Sequence, residues 1–152
     1  MTSTVPQPDT RPGPRVTLAA LWTTTMLIVA FVDIFSLYRP DVREQIAEGT
    51  LFIFAINGGF LLGNLLYVTV PTLMITLSVV APRRINRVAQ CVVAPLFGVT
   101  IIGAAVGEWA YYVVASGIEL VLLAAIVTVA ARWHVGTPER VSAARETQGA
   151  RS

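Results

Sequence analysis

Four long apolar stretches constrain this chain more than any other feature of its sequence. They cover residues 16–38, 51–80, 88–107 and 109–133. About 20 apolar residues of helix, each rising about 1.5 Å, cross the roughly 30 Å hydrocarbon core of a bilayer. Only 13% of the residues are charged, against about 25% in ordinary soluble domains. We therefore predict an all-α fold, a bundle of four transmembrane helices surrounded by lipid.

Polar segments flank these runs. Residues 1–15 are rich in Thr and Pro, residues 134–152 are also polar, and we expect both segments to be flexible. The first run exceeds the 7 to 15 apolar residues of a signal peptide, so we expect a retained helix. The second run is longer than one straight crossing requires, so we expect it to tilt, to kink at Pro71 or to extend beyond the core. Between these two runs, Pro40 and Gly49 predict the start and end of a short helix.

The basic residues predict the orientation of the bundle, and all eleven are arginine. Cytoplasmic loops carry an excess of basic residues. Two arginines, Arg39 and Arg43, fall between the first two runs. With four crossings the other nine share the opposite side: Arg11, Arg15, Arg83, Arg84, Arg87, Arg132, Arg140, Arg145 and Arg151. We predict a multi-pass protein of the cytoplasmic membrane with both termini in the cytoplasm.

Several classes of site are excluded by composition. Cys91 is the only cysteine and His134 the only histidine. A disulfide within the chain, a haem held by two histidines and the usual zinc sites are therefore excluded, and we expect no cofactor and no metal. The arginines lie in short clusters without interleaved aromatic residues, so nucleic acid is not an expected partner.

Polar groups inside the apolar runs are the candidate functional residues. Asp33 interrupts the stretch FVDIFSLY, and Glu119 lies in the fourth run. Counting helical rise from the outer boundary places both in the outer half of the membrane, together with Asn57 and Ser116, while Glu108 lies near the outer interface. No Arg or Lys falls at that depth, so we expect the two acids to hold protons or to face a water-filled pocket.

Two interpretations of these acids stay open. They form a binding or transport pocket for a proton, a cation or a small solute, or they act as interhelical hydrogen-bond glue in a structural or accessory subunit. A membrane enzyme is the least favoured interpretation, since the only further candidates are Tyr111 and Tyr112. Two GxxxG pairs, Gly59–Gly63 and Gly103–Gly107, favour close packing inside the bundle, with a homo-oligomer or another membrane partner as the alternative.

Four stretches together resemble an uncharacterised bacterial family of small four-helix membrane proteins, a domain of unknown function. These are VDIFSLY (32–38), PTLMITLS (71–78), RINRVAQ (84–90) and YYVVASGIEL (111–120). The similarity covers roughly residues 18–133. It implies a four-helix bundle in a bacterial inner membrane and supplies no activity. Members of that family often carry an acid two positions before the helix-two proline, where this chain has Thr69, so the resemblance implies no role for such an acid here.

Overall fold

Residues 12–133 are described by a computed structural model and form a helical bundle with one small hairpin. The elements in chain order are α1 (Pro14–Ser36), α2 (Pro40–Ala47), β1 (Thr50–Leu51), β2 (Phe54–Ala55), α3 (Gly58–Val80), α4 (Arg83–Ala105) and α5 (Ala110–Arg132). The predicted all-α fold with four long helices is confirmed. Most of the two predicted tails, and His134 with them, lie outside the described residues.

The four long helices fit the thickness of a membrane. Each has 23 residues and is apolar enough to cross a bilayer. At about 1.5 Å per residue such a helix is roughly 35 Å long, slightly more than the hydrocarbon core. The chain is therefore a multi-pass membrane protein surrounded by lipid.

The bundle has two distinct ends. We call the end covered by α2 and the β1–β2 hairpin the hairpin end, and the opposite end, near the α3–α4 link, the arginine end. At the arginine end Arg15 Nη1 donates to the Val79 carbonyl over 2.7 Å, and the Arg83 guanidinium donates to the Trp133 carbonyl. Both guanidinium groups also lie about 6 Å from the centre of the Trp133 ring. These contacts tie together the starts of α1 and α4 and the ends of α3 and α5.

Packing is tight at the arginine end and looser at the hairpin end. Helix α1 packs between α3 and α5, α4 packs against α5, and α3 against α4 is the loosest of the four seams. Most of the hydrophobic core lies in the half of the bundle next to the arginine end, where Leu18, Trp22, Met74, Ile126 and Ala130 are buried together. The hairpin half is left with room for a cavity.

The second apolar run, predicted at about residues 51–80, is helical only from Gly58 onward, and its first part extends beyond the crossing. Residues 51–55 belong largely to a hairpin with Thr50 opposite Ala55, and α3 begins only at Gly58. The Asn57 side chain accepts a hydrogen bond from the Phe60 amide over 2.9 Å, so it is the N-cap of α3. Asparagine satisfies the free amides of a helix start, which makes this residue a boundary and not a helix interior. The apolar run is longer than α3 because its first residues form the hairpin, which precedes the membrane-spanning helix.

The other boundaries differ less. Helix α4 begins at Arg83 and not at residue 88, because Pro82 has the extended backbone of an N-cap and the arginines extend the helix beyond the apolar run. Helix α1 begins two residues before the predicted start at residue 16. The short helix predicted between Pro40 and Gly49 is confirmed as α2, and Gly49 has a φ of 75°.

The two GxxxG pairs do not mediate packing inside the described bundle. A Cβ added at Gly63, Gly103 or Gly107 would meet nothing within 4 Å, and one at Gly59 would meet only the nearby Asn57 side chain. The prediction of close helix contact at these glycines was therefore wrong. Gly107 has another role, since its φ of 82° is a left-handed conformation that turns the chain between α4 and α5.

Candidate functional site

A cavity of about 490 Å³ lies at the hairpin end, between α1, α3, α4 and α5. Helix α2 and the hairpin cover it, and its walls are largely apolar. The apolar wall residues are Val29, Val32, Leu37, Val42, Ile46, Leu51, Phe52, Phe54, Phe60, Val68, Phe97, Ile101 and Ala104. The polar ones are Asp33, Ser36, Arg39, Asn64, Tyr67, Glu108, Tyr112 and Glu119. Its size is that of a site for a small organic molecule.

Two carboxyl groups face this cavity from different helices. Asp33 lies on the last turn of α1, and Glu119 lies on α5 with 4% of its surface exposed. Within residues 12–133, no side chain donates a hydrogen bond to either carboxyl group and none forms an ion pair with it. Both acids that the sequence singled out therefore line one space and have no partner in the described chain.

Arg39 stands at the outer edge of the cavity and is already neutralised. Its guanidinium donates to both carboxylate oxygens of Asp41, over 3.2 and 2.6 Å, and also to Glu108. It lies 4.8 Å from the centre of the Trp109 ring. We call this group of four side chains the Arg39 clasp. It joins the start of α2 to the α4–α5 link.

The contacts within the Arg39 clasp shift the pKa values of Arg39 and Asp41. The hydrogen bonds from Arg39 hold the pKa of the Asp41 carboxyl below its ordinary value. The bond to Asp41, and a weaker contribution from Glu108, raise the pKa of Arg39. Arg39 therefore stays charged and bound within the clasp, and Asp33 gains no cation from it.

The remaining predicted residues lie in different places. Glu108 lines the cavity but is bound to Arg39. Asn57 caps α3 and lines a second, shallower cavity beside it. Ser116 is buried one turn before Glu119 and is not part of the cavity wall. The structure thus brings Asp33, Glu119 and Glu108 together and leaves Asn57 and Ser116 outside.

Five polar residues of the wall were not among the predicted site residues, and three of these five lie on α3 and α5. Asn64 and Tyr67 lie one turn apart on the face of α3 that lines the cavity, and Tyr112 lies two turns before Glu119 on α5. The Tyr67 hydroxyl is 2.6 Å from the Thr100 hydroxyl of α4. A signal for Tyr112 was present, because Tyr112 and Glu119 are seven residues apart and so share a helix face. No spacing in the sequence indicates that Asn64 and Tyr67 of α3 line the same cavity as Glu119 of α5.

A second polar cluster lies toward the arginine end and was not predicted. The Trp22 indole donates to Gln90 Oε1 over 2.5 Å, and Gln90 Nε2 donates to Ser78 Oγ over 2.8 Å and to Asn86 Oδ1 over 2.9 Å. Asn86 in turn donates to the Ser78 carbonyl over 2.7 Å. All four side chains are fully buried. We call this cluster the amide network, and it ties α1, α3 and α4 together.

The chain matches the model of a protein family. The model of a family of unknown function, DUF6326, matches residues 12–139, most of the chain. The chain belongs to this family. No curated protein and no solved structure matches it. The family membership agrees with the resemblance seen in the sequence and assigns no activity, so the chemistry has to be argued from the cavity itself.

The side chains of the cavity wall determine which ligands and reactions the site could support. No group of three His, Cys, Asp or Glu side chains close enough to hold a metal ion occurs among the described residues. Ser36, the one serine of the wall among the described residues, contacts the Tyr111 hydroxyl at 2.9 Å, and residues 12–133 contain no histidine that could act as its general base. What the wall offers is two carboxyl groups, aromatic rings and apolar surface.

Proposed function

We propose that this protein binds a small organic cation in the hairpin-end cavity. The observation that supports the proposal is the pair Asp33 and Glu119, which face one apolar cavity without a cationic partner in the described chain. A carboxylate in apolar surroundings is costly until a proton or an opposite charge neutralises it. A cation in the cavity would supply that charge.

The charges of the wall support a cationic occupant. Among the described residues, Arg39 is the only basic one in the wall, and it is shared between Glu108 and Asp41. This leaves Asp33 and Glu119 as charges to be balanced. Anions and zwitterions with exposed carboxylates would be repelled by the same two groups, so the cavity selects for positive charge.

The volume and lining favour an organic cation over a bare ion or a proton alone. A water molecule takes up about 30 Å³ of liquid, and small cations bind in shells of oxygen ligands. The cavity of about 490 Å³ is far larger and mostly apolar. Its aromatic walls, including Tyr67, Phe97 and Tyr112, present ring surface that attracts ammonium groups.

The orientation of the chain decides which side of the membrane supplies the occupant. Arg15, Arg83 and Arg132 lie at the arginine end, and Arg39 and Arg43 at the other. By the bias of basic residues toward the cytoplasm, the arginine end is cytoplasmic and the hairpin end external. The protein is then a multi-pass protein of the bacterial inner membrane, and its cavity takes its occupant from the outside as the first step of binding or transport.

The test is a titration of the purified protein in lipid nanodiscs with n-butylammonium near neutral pH, followed by calorimetry. Wild-type protein is expected to bind the cation and not 1-butanol, which has a similar size and no charge. Glu119→Gln removes one carboxylate and should weaken binding at least about tenfold.

The matched control is Glu44→Gln. It makes the same chemical change at an exposed residue of α2 that does not line the cavity, and it should leave the affinity unchanged. The proposal is wrong if n-butylammonium does not bind, if 1-butanol binds equally well, or if both substitutions weaken binding to the same extent.

A further inference from the structure

The seam between α3 and α4 is open on the hairpin side of one side-chain bridge. The bridge is the Tyr67–Thr100 hydrogen bond, and both residues are exposed on the bundle surface. One turn closer to the hairpin end stand Gly63 on α3 and Gly103 on α4, where an added Cβ would meet nothing within 4 Å. Ala104, beside Gly103, lines the main cavity and is itself exposed.

A second cavity of about 410 Å³ adjoins this opening, and we call it the vestibule. It shares Phe54, Phe60 and Asn64 with the main cavity, and Gly63 belongs to its wall. Shared wall residues place the vestibule next to the main cavity, on the side of Asn64.

The opening faces hydrocarbon. The residues exposed on α3 and α4 at this level are apolar, among them Leu62, Leu66, Val99 and Ile102, each more than half exposed. In a membrane such side chains contact lipid tails. Asp33 and Glu119 line the main cavity from α1 and α5, whereas the opening lies between α3 and α4.

From this arrangement we infer that the occupant is an amphiphilic cation, with an ammonium head at Asp33 and Glu119 and an alkyl tail that passes through the vestibule and the α3–α4 seam into the lipid. The inference rests on the proposed binding of a cation and adds the substrate class and the route of entry. An apolar tail in this position contacts Phe54 and Phe60 and then lipid, so it stays out of water along its whole length.

The experiment compares n-butylammonium with n-decylammonium in nanodiscs that contain wild-type protein or Gly63→Leu. The leucine side chain would occupy part of the vestibule, where the structure has open space. Gly63→Leu should weaken the binding of n-decylammonium at least about tenfold, which is the loss expected when about two methylene groups lose their apolar contact. The same variant should bind n-butylammonium within about twofold of wild type. Partition into lipid is the same in both samples and cancels in the ratio.

Gly117→Leu is the matched control. Gly117 is exposed on α5, has open space around it and lines neither cavity, so this variant should bind both amines as wild type does. Gly103→Leu narrows the opening from α4 at a residue that lines neither cavity, and it should repeat the effect of Gly63→Leu. This second variant covers the case in which the first does not fold.

The outcomes separate the inference from the proposed function. If n-butylammonium binds but Gly63→Leu weakens both amines equally or neither, the occupant is a short cation taken from water, and only the inference fails. The same holds if Gly117→Leu weakens n-decylammonium as much as Gly63→Leu does. If neither amine binds wild-type protein, the proposed function fails together with the inference.

Discussion

The amide network and the hairpin-end cavity show two opposite ways in which a membrane bundle holds polar groups. In the amide network each buried side chain has a partner, as Gln90 shows with its three hydrogen bonds to Trp22, Ser78 and Asn86. In the cavity the carboxyl groups of Asp33 and Glu119 have none among the described residues. Groups that satisfy one another stabilise the fold, whereas groups left without a partner are available to a ligand.

The difference also appears in the packing around each cluster. The amide network lies next to the core of Leu18, Met74 and Ala94, where α1, α3 and α4 meet closely. The acids face a cavity of about 490 Å³. A cavity of this size gives up dispersion contacts, and a fold that needed only interhelical glue would gain stability by filling it. The comparison therefore assigns stability to the amide network and supports the proposed binding at the hairpin-end cavity.

The largest expected effect is on the amide network. Gln90→Leu keeps the side-chain size but removes three hydrogen bonds and leaves the Trp22 indole N–H and Asn86 Oδ1 without partners. We expect the free energy of unfolding to fall by about 2–3 kcal/mol, measured by steric trapping in bicelles. Binding of n-butylammonium to the fraction that stays folded should be unchanged, because Gln90 is not part of the cavity wall.

The control for this substitution is Val92→Leu, a change at an exposed residue of the same helix, which should be near neutral. If Gln90→Leu is as stable as wild type, the amide network does not stabilise the fold. The two ends of the bundle would then not differ in the way described above.

A smaller effect concerns pH. The amide network contains no group that titrates between acid and neutral pH, whereas the Arg39 clasp contains Asp41, whose pKa is held below its ordinary value. Stability from such a group is complete above the unfolded-state pKa of about 3.9 and is lost as the pH falls through the lower folded-state value. Below about pH 4 the hairpin end should therefore loosen before the arginine end does.

The measurement is hydrogen exchange of residues 40–47 and of α4 at a series of acidic pH values, corrected for the intrinsic exchange rate. Asp41→Asn should reduce the change in the exchange rate of α2 with falling pH. Glu48→Gln, which replaces an exposed acid next to α2, should leave that change as it is in wild type. Equal loosening of both ends in wild-type protein would contradict the assignment of this effect to the clasp.

Much of the fold could be predicted from the sequence because a bilayer imposes a length on every crossing. Four apolar runs sufficed for the number of helices, and Pro40 and Gly49 for the short helix α2. The hairpin was missed because its residues, LFIFA at 51–55, are as apolar as the crossing that follows. Apolarity alone does not separate a hairpin over the bundle end from a helix inside the membrane.

The candidate site was predictable only in part. Asp33 and Glu119 stood out because a carboxyl group in an apolar run has few stable environments. The amide network was missed because it needs Trp22, Ser78 and Gln90 from three helices, and their contact depends on how those helices rotate and pack. The bond from Arg39 to Glu108 was missed for the same reason, since the two residues are 69 positions apart.

The most direct test of the account is the free energy of unfolding of Asp33→Asn combined with Glu119→Gln, measured without ligand. These changes keep the size of both side chains and remove the ionisable group. Because the acids have no partner to lose among residues 12–133, the account predicts a stability within about 1 kcal/mol of wild type or above it. Neutralising a charge that a fold keeps for binding removes its cost in apolar surroundings. A loss of more than about 2 kcal/mol would show that the two acids hold the helices together, and would contradict the account.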